Sequence, residues 1–393
     1  MNATLPFLLS ILDRRIQSQF EVWHGLTEAA DASGWPYPIE EVSRLRRKLE
    51  TQSCLGVLSW RGADRQDLVG IPIINLSNYR GPLPDCGNLL NEDRAIGRMA
   101  ADHLLGNGYS TYLTVGLAQP HYSRERMEGF SAKIQTKGLP LHSVDFPMGR
   151  NWTPKAEWNP QRYLDQSSEE LEPILRELPP DTGIFAVDHP IAQQIEHCLY
   201  TRFPERVHTT GLLAGDLPVS YRWLPGSRRS LSCVRTANAA RGKAAMDWFI
   251  KQETQPEPIA KLCRFFPPAG IFTQASTAGP ACRHPILAWG IRWSWTRIQG
   301  GEPPTVEEMA SYLKMSSRTL NRLFQSELSQ TARGFLLTLR MERAAQTLQQ
   351  NPQYSIQRVA EEAGFTNQGA FTSTFRSWSG QNPREYRKTG GSG

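Results

Sequence analysis

A chain of 393 residues is too long for one ordinary hydrophobic core and predicts two or three domains. Apolar residues make up 39% of it, which excludes a disordered chain, and no run of about 18 apolar residues offers a membrane span. The net charge of +6 is unevenly placed: residues 281–388 hold 14 Lys and Arg against eight Asp and Glu, whereas the first 280 residues hold 30 of each sign. The positive excess therefore lies in the C-terminal segment, where phosphate contact would use it. A solvated basic surface would carry the same excess, so charge alone does not decide the function.

The six cysteines are Cys54, Cys86, Cys198, Cys233, Cys263 and Cys282. They are scattered, without a C-x-x-C pair, as expected of small core thiols in a reducing cytoplasm. Cys282 with His284 and His197 with Cys198 each lack a second pair at ligand spacing, so no metal and no cofactor are expected. Residues 1–12 are apolar but lack a basic front and a small-residue cleavage site, and they read as a first strand rather than a signal peptide.

In chain order, 6–12 (PFLLSIL) reads as a strand, and 19–30 carries a helical stripe through Val22, Leu26 and Ala29. Strands follow at 55–60 and 70–76. The segment 96–105 reads as a helix ending at Gly106 or Gly108, both good C-caps. A strand at 111–117, a helix at 124–138, strands at 182–188 and 210–214 and a helix at 237–251 complete this part. Such alternation predicts parallel sheets covered by helices, with ligands bound beyond the carboxyl ends of the strands. Prolines crowd 256–285, so 267–284 reads as a domain linker, although 259–266 could still be a strand of the first domain. The expected domains are 1–266, then the linker, then a helical domain at 285–389, then a flexible tail at 390–393.

The helical domain repeats itself. Residues 305–328 and 355–379 share a small residue (Ala310, Ala360), a turn (Lys314, Gly364), an apolar residue (Met315, Phe365), a hydroxyl N-cap (Ser316, Thr366) and a second helix. This is a helix-turn-helix written twice. Leu320, Leu323, Phe324 and Leu328 form the core stripe of the first second helix, and Phe371, Phe375 and Trp378 that of the other. The opposite faces offer Arg318, Thr319, Asn321, Arg322 and Gln325 in the first, and Asn367, Gln368, Gly369, Thr372, Ser373 and Arg376 in the second. These are side chains that read base edges in a major groove, except Gly369, which can only allow close approach. Between the units, 334–349 reads as one long helix with Leu336, Leu339, Ala344 and Leu348 apolar. Such a spacer would let two reading helices enter successive major grooves, about 34 Å apart.

This segment resembles the AraC-type DNA-binding domain over roughly 285–388. The resemblance is carried by Ser316, Thr319, Leu320, Arg322, Leu323 and Phe324; by Leu339, Arg340 and Ala344; by Ala360, Gly364 and Phe365; by Phe371 and Phe375; and by Pro383, Tyr386 and Arg387. Lys314 and Ser329 stand where that family usually has glycine, and Ala332 where it commonly has proline. The first part resembles the LacI-type, periplasmic-binding-protein-like sensor domain. Here the carriers are 91–93 (NED) before Gly97, Ala100, Ala101, His103, Leu104 and Gly108; Arg126, Gly129 and Phe130; Asp216; and Gly242, Ala244 and Ala245. Fused in this order, the two resemble the xylose-operon regulators of bacteria, a comparison that Leu178, Pro179, Pro180, Thr182, Gly183 and Ile184 strengthen. The expected fold is a two-lobed α/β sensor domain followed by an all-α domain with two helix-turn-helix units.

The resemblance implies a small ligand, usually a sugar, between the lobes. Its candidate contacts are Asp13, Arg15, Arg126, Asp188 and Asp216, with Trp152 as a stacking platform; Arg126 with Asp216 could equally be a structural ion pair. Gln19 and Phe20 stand where xylose-responsive members have an acidic-basic pair, so the effector's identity stays open. The resemblance further implies double-stranded operator DNA, a homodimer, RNA polymerase as partner if the regulator activates, and a bacterial cytoplasm with nucleoid association. The alternative is a regulator whose first domain only dimerises. An enzyme is not expected: the chain holds no G-x-G-x-x-G, no P-loop lysine motif and no G-x-S-x-G, and His189 beside Asp188 lacks a nucleophile at a defined spacing.

Overall fold

A computed structural model of the chain describes residues 7–12, 17–41, 54–60, 70–146, 160–216, 230–252 and 254–389. The strands are β1 (Phe7–Ile11), β2 (Ile39–Glu41), β3 (Cys54–Ser59), β4 (Ile73–Asn75), β5 (Gly87–Asn91), β6 (Thr111–Leu117), β7 (Leu141–Phe146), β8 (Thr182–Ala186), β9 (Gly211–Ala214), β10 (Ser232–Arg235), β11 (Cys263–Phe266) and β12 (Gly270–Phe272). They form two six-stranded sheets, ordered β11-β5-β4-β3-β1-β2 and β12-β10-β9-β8-β6-β7. Every pairing is parallel except β12 on β10. Each sheet builds one lobe. The chain crosses between lobes after β5, after β10 and after β11, so neither lobe is a continuous piece of sequence.

Helices cover the sheets: α1 (Gln17–Ser33), α2 (Asp93–Asn107), α3 (His121–Gln135), α4 (Pro160–Glu177), α5 (His189–Arg202) and α6 (Asn238–Gln252). The central strands are buried on both faces, which is why β6 and β8 are buried throughout and lack an alternating pattern. Two helix pairs cross at glycine. A Cβ on Gly97 of α2 would lie 2.0 Å from the Arg126 carbonyl oxygen of α3, and one on Gly242 of α6 would lie 1.9 Å from that of Val22 in α1. The small-residue patterns after Gly97 and Gly242 are thus packing requirements.

The segment 267–284 is more than a linker. It supplies β12 to the second sheet, and Ser276, Thr277 and Ala278 are buried on the second lobe. Ser276 Oγ donates to the Leu212 carbonyl at 2.5 Å and Thr277 Oγ1 to Ser232 Oγ at 2.6 Å. Its prolines and glycines mimic a linker, but its hydroxyls satisfy the sheet edge.

The remaining helices are α7 (Pro285–Gln299), α8 (Val306–Tyr312), α9 (Ser317–Leu328), α10 (Ala332–Gln350), α11 (Ile356–Glu362), α12 (Gln368–Ser379) and α13 (Pro383–Thr389). They build two cores joined by α10. Its Phe335, Leu336 and Leu339 enter the first core, with α7, α8 and α9. Its Met341, Ala344, Ala345 and Leu348 enter the second, with α11 and α12.

Candidate nucleic-acid interface and interlobe site

Helix α8 opens with a capping box. Thr305 Oγ1 accepts from the Glu308 amide, and Glu308 Oε2 accepts from the Thr305 amide. After α8 the chain turns through Lys314 in the left-handed region (φ 54°), and Ser316 caps α9 by accepting from the Thr319 amide at 3.1 Å. In the second unit Gly364 (φ 75°) makes the turn. The cap of α12 is Asn367, whose Oδ1 accepts from the amides of Gly369 and Ala370. The sequence pattern pointed to Thr366 there; the extra residue in this unit moves the cap by one.

These bonds sort the candidate readers. Asn321 Nδ2 donates to the Ser317 carbonyl at 3.1 Å while its Oδ1 accepts from the Ala332 amide at 3.1 Å, so it ties α9 to the start of α10. Asn367 is spent on its cap. The Thr319 hydroxyl pairs with Ser316 Oγ, and the Thr372 hydroxyl donates to the Gln368 carbonyl. Arg318, Arg322 and Gln325 on α9, and Gln368, Ser373 and Arg376 on α12, are exposed and make no side-chain hydrogen bond or ion pair among the described residues. A concave groove of about 870 Å³ runs along α12, lined by Gln368, Thr372, Ser373 and Arg376 and by Arg384 of α13. Other arginines of the domain are committed to structure. Arg340 donates to the carbonyls of Ala363 (2.7 Å) and Gly364 (2.8 Å) and lies over the Phe365 ring. Arg387 donates to those of Pro352 and Tyr354. The 19-residue α10 spans about 28 Å, close to one turn of B-DNA.

The domain is docked on the second lobe. Buried Arg292 of α7 donates from Nη1 to the Ala278 carbonyl (2.6 Å) and from Nη2 to that of His208 (3.2 Å). Arg283 pairs with Asp181 at 3.0 Å. The His208 ring stacks on Trp289, centroids 6.3 Å apart, and Tyr312 of α8 packs on Trp289 (5.0 Å) and Trp293 (4.4 Å). An aromatic column therefore joins the second lobe to the first helix-turn-helix.

Between the lobes, the structure brings three of the candidate ligand residues together. Arg126 donates from Nε to Asp93 Oδ1 (2.8 Å) and from Nη1 to the Val187 carbonyl (2.6 Å) and Asp216 Oδ2 (3.3 Å). Tyr122 donates to Asp188 Oδ2 at 2.9 Å, while Asp188 Oδ1 caps α5 through the Ile191 amide. The His189 amide donates to Asp216 Oδ1 at 3.0 Å. Asp13, Arg15 and Trp152 lie outside the described residues. Tyr122 and Asn78 were not singled out from sequence, and Asp93 was named only within 91–93 (NED) as a carrier of the resemblance, not as a site residue. Asn78 Nδ2 donates to Asp93 Oδ2 and to the Asn91 carbonyl, fixing the first crossover.

Burial and charge set the protonation here. Burial lowers the affinity of Arg126 for its proton, but Asp93 and Asp216 outweigh it and the guanidinium stays firmly charged. Burial, and then the Asp216 charge, push Asp188 up to about 6. Burial lowers His189 to about 4, leaving it neutral at pH 7. Arg126 Nη2 carries no hydrogen bond among the described residues, so the cluster has a charged donor to spare.

Known proteins match both halves. A family model described as a helix-turn-helix domain covers residues 309–389. The xylose operon regulatory protein of Haemophilus influenzae is 24% identical over 309 residues, covering 76% of this chain and 74% of the relative. Residues 309–389 thus form an AraC-type helix-turn-helix domain, in a transcription regulator homologous to a xylose operon regulatory protein. In structure the regulator aligns over 98% of its length with 99% of a xylose-binding transcription activator, with a TM-score of 0.63 at 19% identity. A periplasmic binding protein/LacI transcriptional regulator from Alkaliphilus metalliredigens, complexed with D-xylulofuranose, covers 69% of the chain at a TM-score of 0.51 and 14% identity. These likenesses establish the two-lobed periplasmic-binding-protein-like fold and its fusion to the helix-turn-helix domain.

Proposed function

We propose that the regulator is gated by a small polyhydroxylated ligand, a sugar or sugar-like molecule, bound between the lobes beside Arg126, Asp188 and Asp216. The observation that carries this reading is the buried cluster at the lobe crossing, where a guanidinium with an unused donor sits among carboxylates. Sugar hydroxyls both donate and accept, so they complement such a site. The solved relatives named for xylose and D-xylulofuranose support a pentose. Asp13 and Arg15, after β1, and Trp152 belong to the proposed site as further polar contacts and a stacking face.

The proposed output is sequence-specific DNA binding. Arg318, Arg322, Gln325, Gln368, Ser373 and Arg376 face the major groove as readers. Thr319, Asn321, Asn367 and Thr372 hold the reading helices in shape and reach DNA at most through their second hydrogen-bonding capacity. Carbohydrate-metabolism genes are the proposed targets, two copies of the chain the proposed binding unit, and RNA polymerase the partner of an activating form in the bacterial cytoplasm. The folded units proposed are a sensor domain ending near β12 and a DNA-binding domain from α7 to α13. A ligand that prefers one lobe arrangement shifts the second lobe, and Arg292, the Arg283–Asp181 pair and the aromatic column carry that shift into the first unit.

The test is thermal unfolding of the full chain against pentoses, hexoses and sugar acids. A ligand at 100 times its dissociation constant should stabilise the chain by about 2.7 kcal/mol and raise the midpoint. No rise with any sugar would favour a first domain that only dimerises.

A further inference from the structure

The two units repeat beyond the reading helices. Each reading helix ends in a left-handed residue, Ser329 (φ 53°) or Gly380 (φ 76°). A glutamine follows, Gln330 or Gln381, and then Thr331 or Asn382, each of which caps the next helix through its side-chain oxygen. Four residues past that cap, Phe335 packs on Phe324 (centroids 5.2 Å) and Tyr386 on Phe375 (5.3 Å). Two residues past the cap, between these fixed points, stand Arg333 and Arg384.

Both arginines are exposed, and neither makes a hydrogen bond or ion pair among the described residues. That sets them apart from Arg297, Arg340, Arg358 and Arg387, which are engaged by carboxylates or carbonyls. Arg384 lines the same groove as Arg376, and no carboxylate lines it. Two guanidiniums lining one open groove attract an anion, and a planar guanidinium grips phosphate oxygens in pairs. Arg333 and Arg384 stand in the first turns of the helices that follow the two reading helices.

We propose that Arg333 and Arg384 are a matched pair of DNA-backbone anchors, one beside each reading helix, which grip phosphates and fix the register of α9 and α12. This rests on the reading that those helices face DNA. Phosphate contacts position a protein without reading sequence, so the anchors act alike on every duplex.

The test uses the full chain, a labelled duplex selected from a random pool by the wild-type protein, and a shuffled duplex, each titrated over a range of NaCl concentrations. Arg333→Gln and Arg384→Gln should each weaken binding to both duplexes by the same factor. Each should reduce the slope of log affinity against log salt by about 0.9, and the double variant by about twice that. Arg333→Lys and Arg384→Lys should keep the slope, which a merely structural role would not require. An unchanged slope in the Gln variants, or a loss confined to the selected duplex, overturns the proposal. Arg322→Ala and Arg376→Ala separate the two readings: if neither changes the preference for the selected duplex, the reading helices do not read bases, whatever the anchors do. A wild-type chain that selects no duplex overturns both.

Discussion

The two helix-turn-helix units share a motif and differ in what holds them. The first is continuous with α7, and α7 is fixed to the second lobe by Arg292 and the aromatic column. The second has its own core and is held by α10, with Arg340 and Arg387 capping carbonyls at its two ends. The units also turn differently: Lys314 and Ser329 occupy left-handed positions that Gly364 and Gly380 fill in the second unit. Binding chemistry is thus duplicated while attachment to the sensor is single. On the proposed gating, a signal from the lobes would enter through the first unit and reach the second through α10.

The strongest way to break this comparison is to empty each core. Phe324 and Phe375 are fully buried and equivalent, and either change to Ala should cost about 3–5 kcal/mol. Phe375→Ala should speed hydrogen exchange in 356–389 while leaving 285–330 protected. If both units lose protection together, they are one cooperative body and the distinction fails.

Arg292→Met removes two charged hydrogen bonds at the joint and should weaken docking by about 1.5–3 kcal/mol. It should leave ligand-free DNA affinity and sugar affinity nearly intact while abolishing the influence of one on the other. An equal loss in Phe375→Ala and Arg292→Met coupling would show that the first unit has no privileged link.

Arg322→Ala and Arg376→Ala should each weaken binding to the selected duplex by about 1–3 kcal/mol and relax preference at separate base positions. Equal loss on shuffled DNA would make them phosphate contacts. The smallest effect sharpens the contrast in turns. Lys314→Gly and Ser329→Gly should each stabilise the chain by about 0.5–1 kcal/mol, as relief of left-handed strain exceeds the entropy cost of glycine. In Gly364→Ala the sign reverses, because a Cβ there meets Pro303 Cγ at 2.4 Å. Thermal melts of the three variants check this directly.

Legibility followed how local the causes were. The helix-turn-helix repeat could be read because apolar spacing, turn and cap lie within a few residues of one another. The reading faces were found by the same periodicity, but Asn321 and Asn367 looked like readers because their bonds to the Ala332 and Gly369 amides are invisible without coordinates. In the two-lobed domain the central strands β1, β3, β6 and β8 stood out as apolar runs. Strands β5 and β7, and helices α4 and α5, did not, since polar residues such as Asn88, His142 and Gln194 interrupt them. The segment 267–284 misled because proline and glycine mark turns whether or not a strand lies between. The interlobe cluster was half legible: Arg126, Asp188 and Asp216 follow strands or open helices, whereas Asp93 joins them at the first crossover and Tyr122 through its hydrogen bond from α3 to Asp188.

Gating itself is tested most directly by linkage. The measurement is the affinity of the full chain for its selected duplex with and without a saturating sugar that raises its melting midpoint. The account predicts a change of about 5–150-fold, with the same factor appearing in sugar affinity when the duplex is present. Unchanged DNA affinity under a sugar that plainly binds would contradict it, and would leave a DNA-binding regulator whose ligand does not gate it.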